Sequence, residues 1–177
     1  NEDSNLEPLT AYAKSKVNSE KEILKLNDEE FTVTNLRSAT AYGFSNCPRL
    51  DLVVNNLTCS AYTTKKVKLL SAGTAWRPLL HVEDMANAFI SVLKAKNEKI
   101  DGETFNVGSN DQNFIVKEIA QKVEEIIPDS KIEYANMRQD NRSYRVDFSK
   151  IKNQLGFKTK WTLEKGIEAI FEVLKDK

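Results

Sequence analysis

Thr10-Ala-Tyr12-Ala-Lys-Ser-Lys16 is the stretch on which the reading of this chain turns. It lies in a segment, Leu9 to Leu26, whose Ala11, Val17, Ile23 and Leu24 recur at helical spacing, with Pro8 and Thr10 marking the start. Residues four apart share one face of a helix, so the phenol of Tyr12 and the ammonium of Lys16 stand side by side. A phenol ordinarily titrates at about 10, and a nearby cation favours its ionised form. Such a pair can exchange a proton with a substrate hydroxyl near neutral pH. A surface Tyr and Lys on a solvated helix would give the same pattern, and the chain has five tyrosines among many lysines. The pair therefore needs its context.

Outward from it, helix and strand alternate. Phe31 to Arg37 alternates apolar and polar residues and reads as a strand, followed by a loop from Ser38 to Arg49. Asp51 is placed to cap a helix running to about Thr64, Val67 to Leu70 is a short strand, and Gly73 to Pro78 is a turn-rich loop. Glu83 or Asp84 opens a helix ending near Ala95. Glu103 to Val107 is a strand, Gly108 to Asp111 a turn, and Ile115 to Ile127 an amphipathic helix stopped by Pro128. Lys131 to Ala135 is a strand, Ser143 to Phe148 is extended, Ser149 caps a short helix ending at Gly156, and Thr162 to Leu174 is the last helix. This alternation predicts an α/β fold.

Composition removes several classes. The 177 residues carry 26 Lys+Arg against 26 Asp+Glu, one His and a pI near 6.8, with 40% hydrophobic residues and a mean hydropathy of −0.50. A zero net charge argues against binding to nucleic acid or an anionic membrane surface. No run approaches the roughly 18 apolar residues of a membrane span, and the start Asn1-Glu2-Asp3-Ser4 does not read as a signal peptide. Cys47, Cys59 and the lone His81 cannot form a usual zinc site, so no metal is expected, and unpaired thiols point to the cytoplasm.

Several motifs stand in a fixed order: Pro8 to Lys16, the strand ending Leu36-Arg37, Ala41-Tyr42-Gly43, Asn55-Asn56-Leu57 and Trp76-Arg77-Pro-Leu-Leu-His81-Val-Glu-Asp84. Phe105-Asn-Val-Gly108-Ser109 and Tyr144-Arg-Val-Asp-Phe-Ser-Lys150 complete the set. Together they resemble the extended short-chain dehydrogenase/reductases, and within them the NAD-dependent epimerase/dehydratases that act on nucleotide sugars. The resemblance covers the whole chain. It implies the C-terminal portion of a Rossmann-type doubly wound fold plus a smaller α/β substrate-binding domain. Residues 1–45 would be a remnant of the NAD-binding domain, and 46–177 mainly the substrate domain, with some elements returning to the Rossmann sheet.

The resemblance further implies that Tyr12 is the catalytic acid/base, and that Lys16 activates it while hydrogen-bonding the nicotinamide ribose. Ala39 and Thr40 would line the nicotinamide end of the pocket, where many members carry Asn in place of Thr40. Asn56 and Leu57 would meet the substrate diphosphate, Arg77 and Arg138 would clamp it, and Tyr144 would meet the nucleotide end. Arg chemistry supports the clamp independently, because its planar and permanently charged fork suits phosphate oxygens. Arg142, on the strand face of Tyr144, is a second candidate, whereas Arg145 points away. A solvated basic stripe partnered by Asp140 is the bland alternative for this segment. His81 reads as a core histidine with a satisfied ring nitrogen, Asp84 as a helix cap, Trp76 and Trp161 as packing, and Cys59 as core.

Family members also carry a Rossmann half with a glycine-rich turn. The six glycines here, at 43, 73, 102, 108, 156 and 166, form no such motif. The expectation is a fragment of an NAD-dependent (or NADP-dependent) nucleotide-sugar epimerase/dehydratase. Epimerisation is preferred because nothing in the chain requires elimination. Alone, the chain is expected to be inactive, to hold NAD weakly, and to self-associate or dimerise through exposed sheet surface. The alternative is a stand-alone nucleotide-sugar binding module.

Overall fold

The computed structural model describes residues 1–135 and 143–176. Among these residues six α-helices and seven strands follow in the order α1 (Ala11–Leu24), β1 (Asn35–Ser38), β2 (Thr40–Tyr42), α2 (Val53–Thr64), β3 (Lys66–Leu69), β4 (Trp76–His81), α3 (Val82–Leu93), β5 (Thr104–Val107), β6 (Asn113–Ile115), α4 (Val116–Ile126), β7 (Lys131–Tyr134), α5 (Ser149–Leu155) and α6 (Leu163–Lys175). β1 pairs with β5 and β3 with β7, both parallel, while β4 lies between parallel β2 and antiparallel β6. The chain is α/β, as the alternation implied.

Two apolar clusters share β4. Leu79 packs with Tyr42, Leu57, Val67, Ile119 and Ile167 between α2, β3, α4 and α6. Leu80, its strand neighbour, points the other way and packs with Phe105, Val107, Phe148 and Ile151 against β5 and α5. Alternation along one strand thus ties the two clusters together. α1 belongs to neither and buries no residue.

Several boundaries differ from the sequence reading, each for a local reason. The strand expected from Phe31 begins only at Asn35, because the preceding residues bond to a different partner: Thr32 Oγ1 donates to Asn97 and Thr34 Oγ1 to the Ile100 carbonyl. β2 falls inside the expected loop, and β4 begins within the expected turn-rich stretch. Pro78 is tolerated there because pairing with β2 begins only at Leu79, so its missing N–H faces no ladder on that side. Residues 143–148 are extended but join no sheet; Asn113 gives its amide to the Val146 carbonyl and accepts the Val146 N–H, both at 3.0 Å, replacing a ladder.

Three expected caps are corrected. α2 is entered at Leu52 with no side-chain cap, and Asp51 instead pairs with Arg49 at 2.7 Å. Ser149 does not cap α5; its N–H and hydroxyl both donate to Asp147. Asp84 does not cap α3 either, and its place in that role is taken by His81, whose Nδ1 accepts the Glu83 N–H at 3.3 Å. Thr10 and Thr162 do cap α1 and α6.

Candidate functional site

A cavity of about 520 Å³ opens where β2, β3, β4 and the starts of α2 and α4 converge. The first turn of α2 forms one wall through Leu52, Val53 and Asn56. Among the described residues no side chain caps that turn, whose N–H groups point the way an anion would be met. Asn56 Nδ2 donates to the Leu50 carbonyl at 2.9 Å, and Leu57, almost wholly buried, is the floor. Its neighbour Asn55 is structural: it accepts the Gly43 N–H at 3.0 Å and donates to the Arg49 carbonyl at 3.1 Å, holding the β2–α2 loop to the helix.

Thr40, Arg77 and Tyr144 line the same cavity. Arg77 leaves β4 with its guanidinium 6.0 Å from the Tyr144 ring centroid and donates to the Trp76 carbonyl at 2.7 Å. The 143–148 segment brings Tyr144 across, anchored by Ser143 Oγ accepting the Trp76 N–H at 3.1 Å. Arg145 lies instead over the Trp76 ring, 4.5 Å from its centroid. Arg138 and Arg142 lie outside the described residues. So five candidates from across the chain (Thr40, Asn56, Leu57, Arg77 and Tyr144) come together, and Ala39 does not: it is buried beside Phe105 and Val107.

Tyr12 and Lys16 share one side of α1, with Lys16 Nζ 5.7 Å from the Tyr12 ring centroid, and neither lines the cavity. Tyr12 is 71% exposed. Arg49 stands two residues before the lining residue Asp51 and pairs with it at 2.7 Å. That guanidinium is held above its ordinary range first by Asp51 and then, more weakly, by Tyr12 and Cys47. Asp51 itself lines the cavity.

Several lining residues were not among the candidates read from the sequence, and Lys68 is the cation among them. Lys68 projects from β3 between buried Val67 and Leu69. Only the strand alternation Lys66-Val-Lys68-Leu could have flagged it.

The His81-Val-Glu-Asp84 motif supports the site from behind. The His81 ring stacks on Trp161 at 3.8 Å, and burial pushes its pKa down against the weaker opposing pull of Glu83 and Asp84. Gly43, at φ 119, leaves room for this ring, because a Cβ there would sit 2.6 Å from His81 Nε2. Among the described residues no group of His, Cys, Asp and Glu could hold a metal ion, and no helix is long and apolar enough to cross a membrane.

Residues 1–108 match the NAD dependent epimerase/dehydratase family. A dTDP-glucose 4,6-dehydratase from Escherichia coli is 29% identical over 178 residues, covering 93% of this chain and 47% of that protein. UDP-glucuronic acid decarboxylase 3 of Arabidopsis thaliana is 29% identical over 131 residues, covering 71% of this chain and 37% of the relative. The solved structure of MoeE5 in complex with UDP-glucuronic acid and NAD superposes with a TM-score of 0.85 at 24% identity, covering 99% of this chain and 58% of that one. The chain therefore spans about half the length of the relatives it matches, or less. It belongs to the NAD dependent epimerase/dehydratase family.

Proposed function

We propose that this chain provides the Tyr–Lys helix and the nucleotide-sugar cavity of an NAD-dependent sugar-nucleotide epimerase or dehydratase, working with a dinucleotide-binding half. The observation that carries the reading is the convergence of Thr40, Asn56, Leu57, Arg77 and Tyr144 on one cavity. Its ligand chemistry follows from the wall. Arg77 and the uncapped first turn of α2 suit a diphosphate, and Tyr144 and the apolar Leu52, Val53 and Val116 suit a base or sugar ring. The need for a second half is supported by α1, which buries nothing, and by β1, which among the described residues pairs with β5 alone. Parallel sheets are ordinarily covered on both faces.

The residues present fit one end of NAD. Tyr12 and Lys16 offer an exposed phenol and an ammonium without a carboxylate partner among the described residues, a donor set suited to ribose hydroxyls. The pyrophosphate end finds no glycine-rich turn in this sequence. When bound, the nicotinamide supplies reversible hydride acceptance. Tyr12 moves the proton at the sugar hydroxyl, Lys16 orients the ribose, and Arg77 holds the diphosphate. Epimerisation and dehydration share that step.

Calorimetric titration of the chain with UDP-glucose and dTDP-glucose tests the cavity. Arg77→Ala should weaken binding by about 1.5–3 kcal/mol, one to two decades. Absence of wild-type binding at millimolar ligand would remove the reading.

A further inference from the structure

We propose that Trp76 is a positioning residue for the base end of the nucleotide, holding Tyr144 so that its ring forms a stacking platform in the cavity; this rests on the functional reading above. At the start of β4, Ala75 turns its carbonyl to the Val116 N–H at 3.0 Å. Trp76, one residue on, therefore presents its own N–H and C=O to the opposite edge. β2 pairs with β4 only from Leu79, so it does not cover that edge at Trp76. Residues 143–145 take the place. Ser143 Oγ accepts the Trp76 N–H at 3.1 Å, and the Tyr144 N–H donates to the Trp76 carbonyl at 3.5 Å. The Arg145 guanidinium lies 4.5 Å from the centroid of the Trp76 ring. One residue thus meets three consecutive ones, through its donor, its acceptor and its ring.

The consequence falls on the middle residue. With Ser143 and Arg145 both fixed to Trp76, and Val146 clamped through both backbone groups by Asn113, Tyr144 keeps its ring on the cavity, 51% exposed. The Trp76 carbonyl also accepts Arg77 Nη1 at 2.7 Å, so the ring and the cation proposed for the diphosphate share one anchor. A tyrosine has few side-chain torsions to freeze, and on a fixed backbone it offers a flat face at low entropic cost. A nucleobase presents a matching flat face, whereas a pyranose presents C–H groups.

The test is calorimetric titration of the full chain with UDP, dTDP and UDP-glucose. Tyr144→Ala should weaken all three about tenfold. Ser143→Ala, at an exposed position, and Arg145→Met, outside the lining, should each weaken them about threefold. Ser143→Thr keeps the hydroxyl and should bind as wild type does. Trp76→Leu leaves both backbone bonds, removes only the ring, and should match Arg145→Met. The deciding readout is coupling: made in the Tyr144→Ala background, Ser143→Ala should weaken binding no further, because nothing is left to position. A further threefold loss there would show that Ser143 acts by another route and overturn the proposal. So would unchanged binding in both Ser143→Ala and Arg145→Met, or a loss confined to UDP-glucose, which would place Tyr144 on the sugar. If Arg77→Ala weakens UDP and Tyr144→Ala does not, the platform falls while the cavity reading stands. If wild type binds none of the three, the functional reading falls with it.

Discussion

The buried Asp84 carboxylate accepts the backbone N–H of Trp161 at 3.0 Å across 77 residues of sequence. The same carboxylate accepts the Lys160 N–H, and Glu83 accepts the Trp161 indole N–H at 3.0 Å. Two adjacent acids at the start of α3 thus fix the turn that launches α6, and α6 packs against the cavity helix α2. An acid pair after a strand invites a catalytic reading; here the geometry makes it a clasp.

Asp84→Ala strands two partly buried backbone N–H groups. It should cost about 2–4 kcal/mol, seen as a lower urea midpoint at unchanged slope. Glu83→Ala removes only an exposed bond and should cost under about 1 kcal/mol. Equal stability of Asp84→Ala and wild type would show that the clasp contributes nothing.

Much of this architecture was legible because its signals are local. Thr10 and Thr162 cap helices by their own side chains, Pro128 follows the end of α4, and the alternation of β3 matches its burial. What was not legible depends on partners far away in sequence. Nothing near Val146 announces that Asn113 will supply its hydrogen bonds, and nothing near Pro78 shows that its N–H position faces no neighbour. For the site, Arg77, Asn56 and Tyr144 were found through motifs and converge as one wall, while Ala39 turned into the core. Lys68 was missed because strand periodicity says which residues share a face, not which end of that face meets a cavity.

His81 predicts a pH dependence of known sign. Its folded pKa is depressed, chiefly by burial, so the folded chain stays neutral where the unfolded chain, with an ordinary value of 6.5, takes up a proton. Stability is full above about pH 6.5 and is lost as pH falls toward the folded value, by at most about 1.4 kcal/mol per pH unit. Protonation of Nδ1 would also break its acceptance of the Glu83 N–H. Urea unfolding at pH 5.5 and pH 7.5 should show this loss in wild type and a flatter response in His81→Gln. A parallel response in the two would assign the slope elsewhere.

Helix α1 should be the least protected helix of the isolated chain. It buries no side chain, and Glu20 ties it to Arg37 by a pair only partly shielded from solvent. In hydrogen exchange, its amides should exchange well before those of Val54 to Ala61 in α2, which sit in the core. Equal protection of the two helices in a demonstrated monomer would mean that α1 needs no cover.

On the proposed function, the last prediction separates chemistry from binding in the chain assembled with a dinucleotide-binding half. Tyr12→Phe keeps the ring and the exposed position on α1 but deletes the only atom that can carry the proton. With NAD and the sugar nucleotide present, turnover should fall by about 10² to 10⁴, the usual worth of a positioned acid/base, while substrate affinity stays close to wild type. Arg77→Ala acts within the cavity wall, where on the proposed function it removes a charge-assisted contact present in ground and transition states alike. Its effect should therefore fall on affinity, with turnover at saturation largely kept. The discriminating measurement is the split between kcat and KM for the two variants. If Tyr12→Phe turned over at the wild-type rate, the proton would have to travel by another group, and the Tyr–Lys helix would mark the family without performing its chemistry.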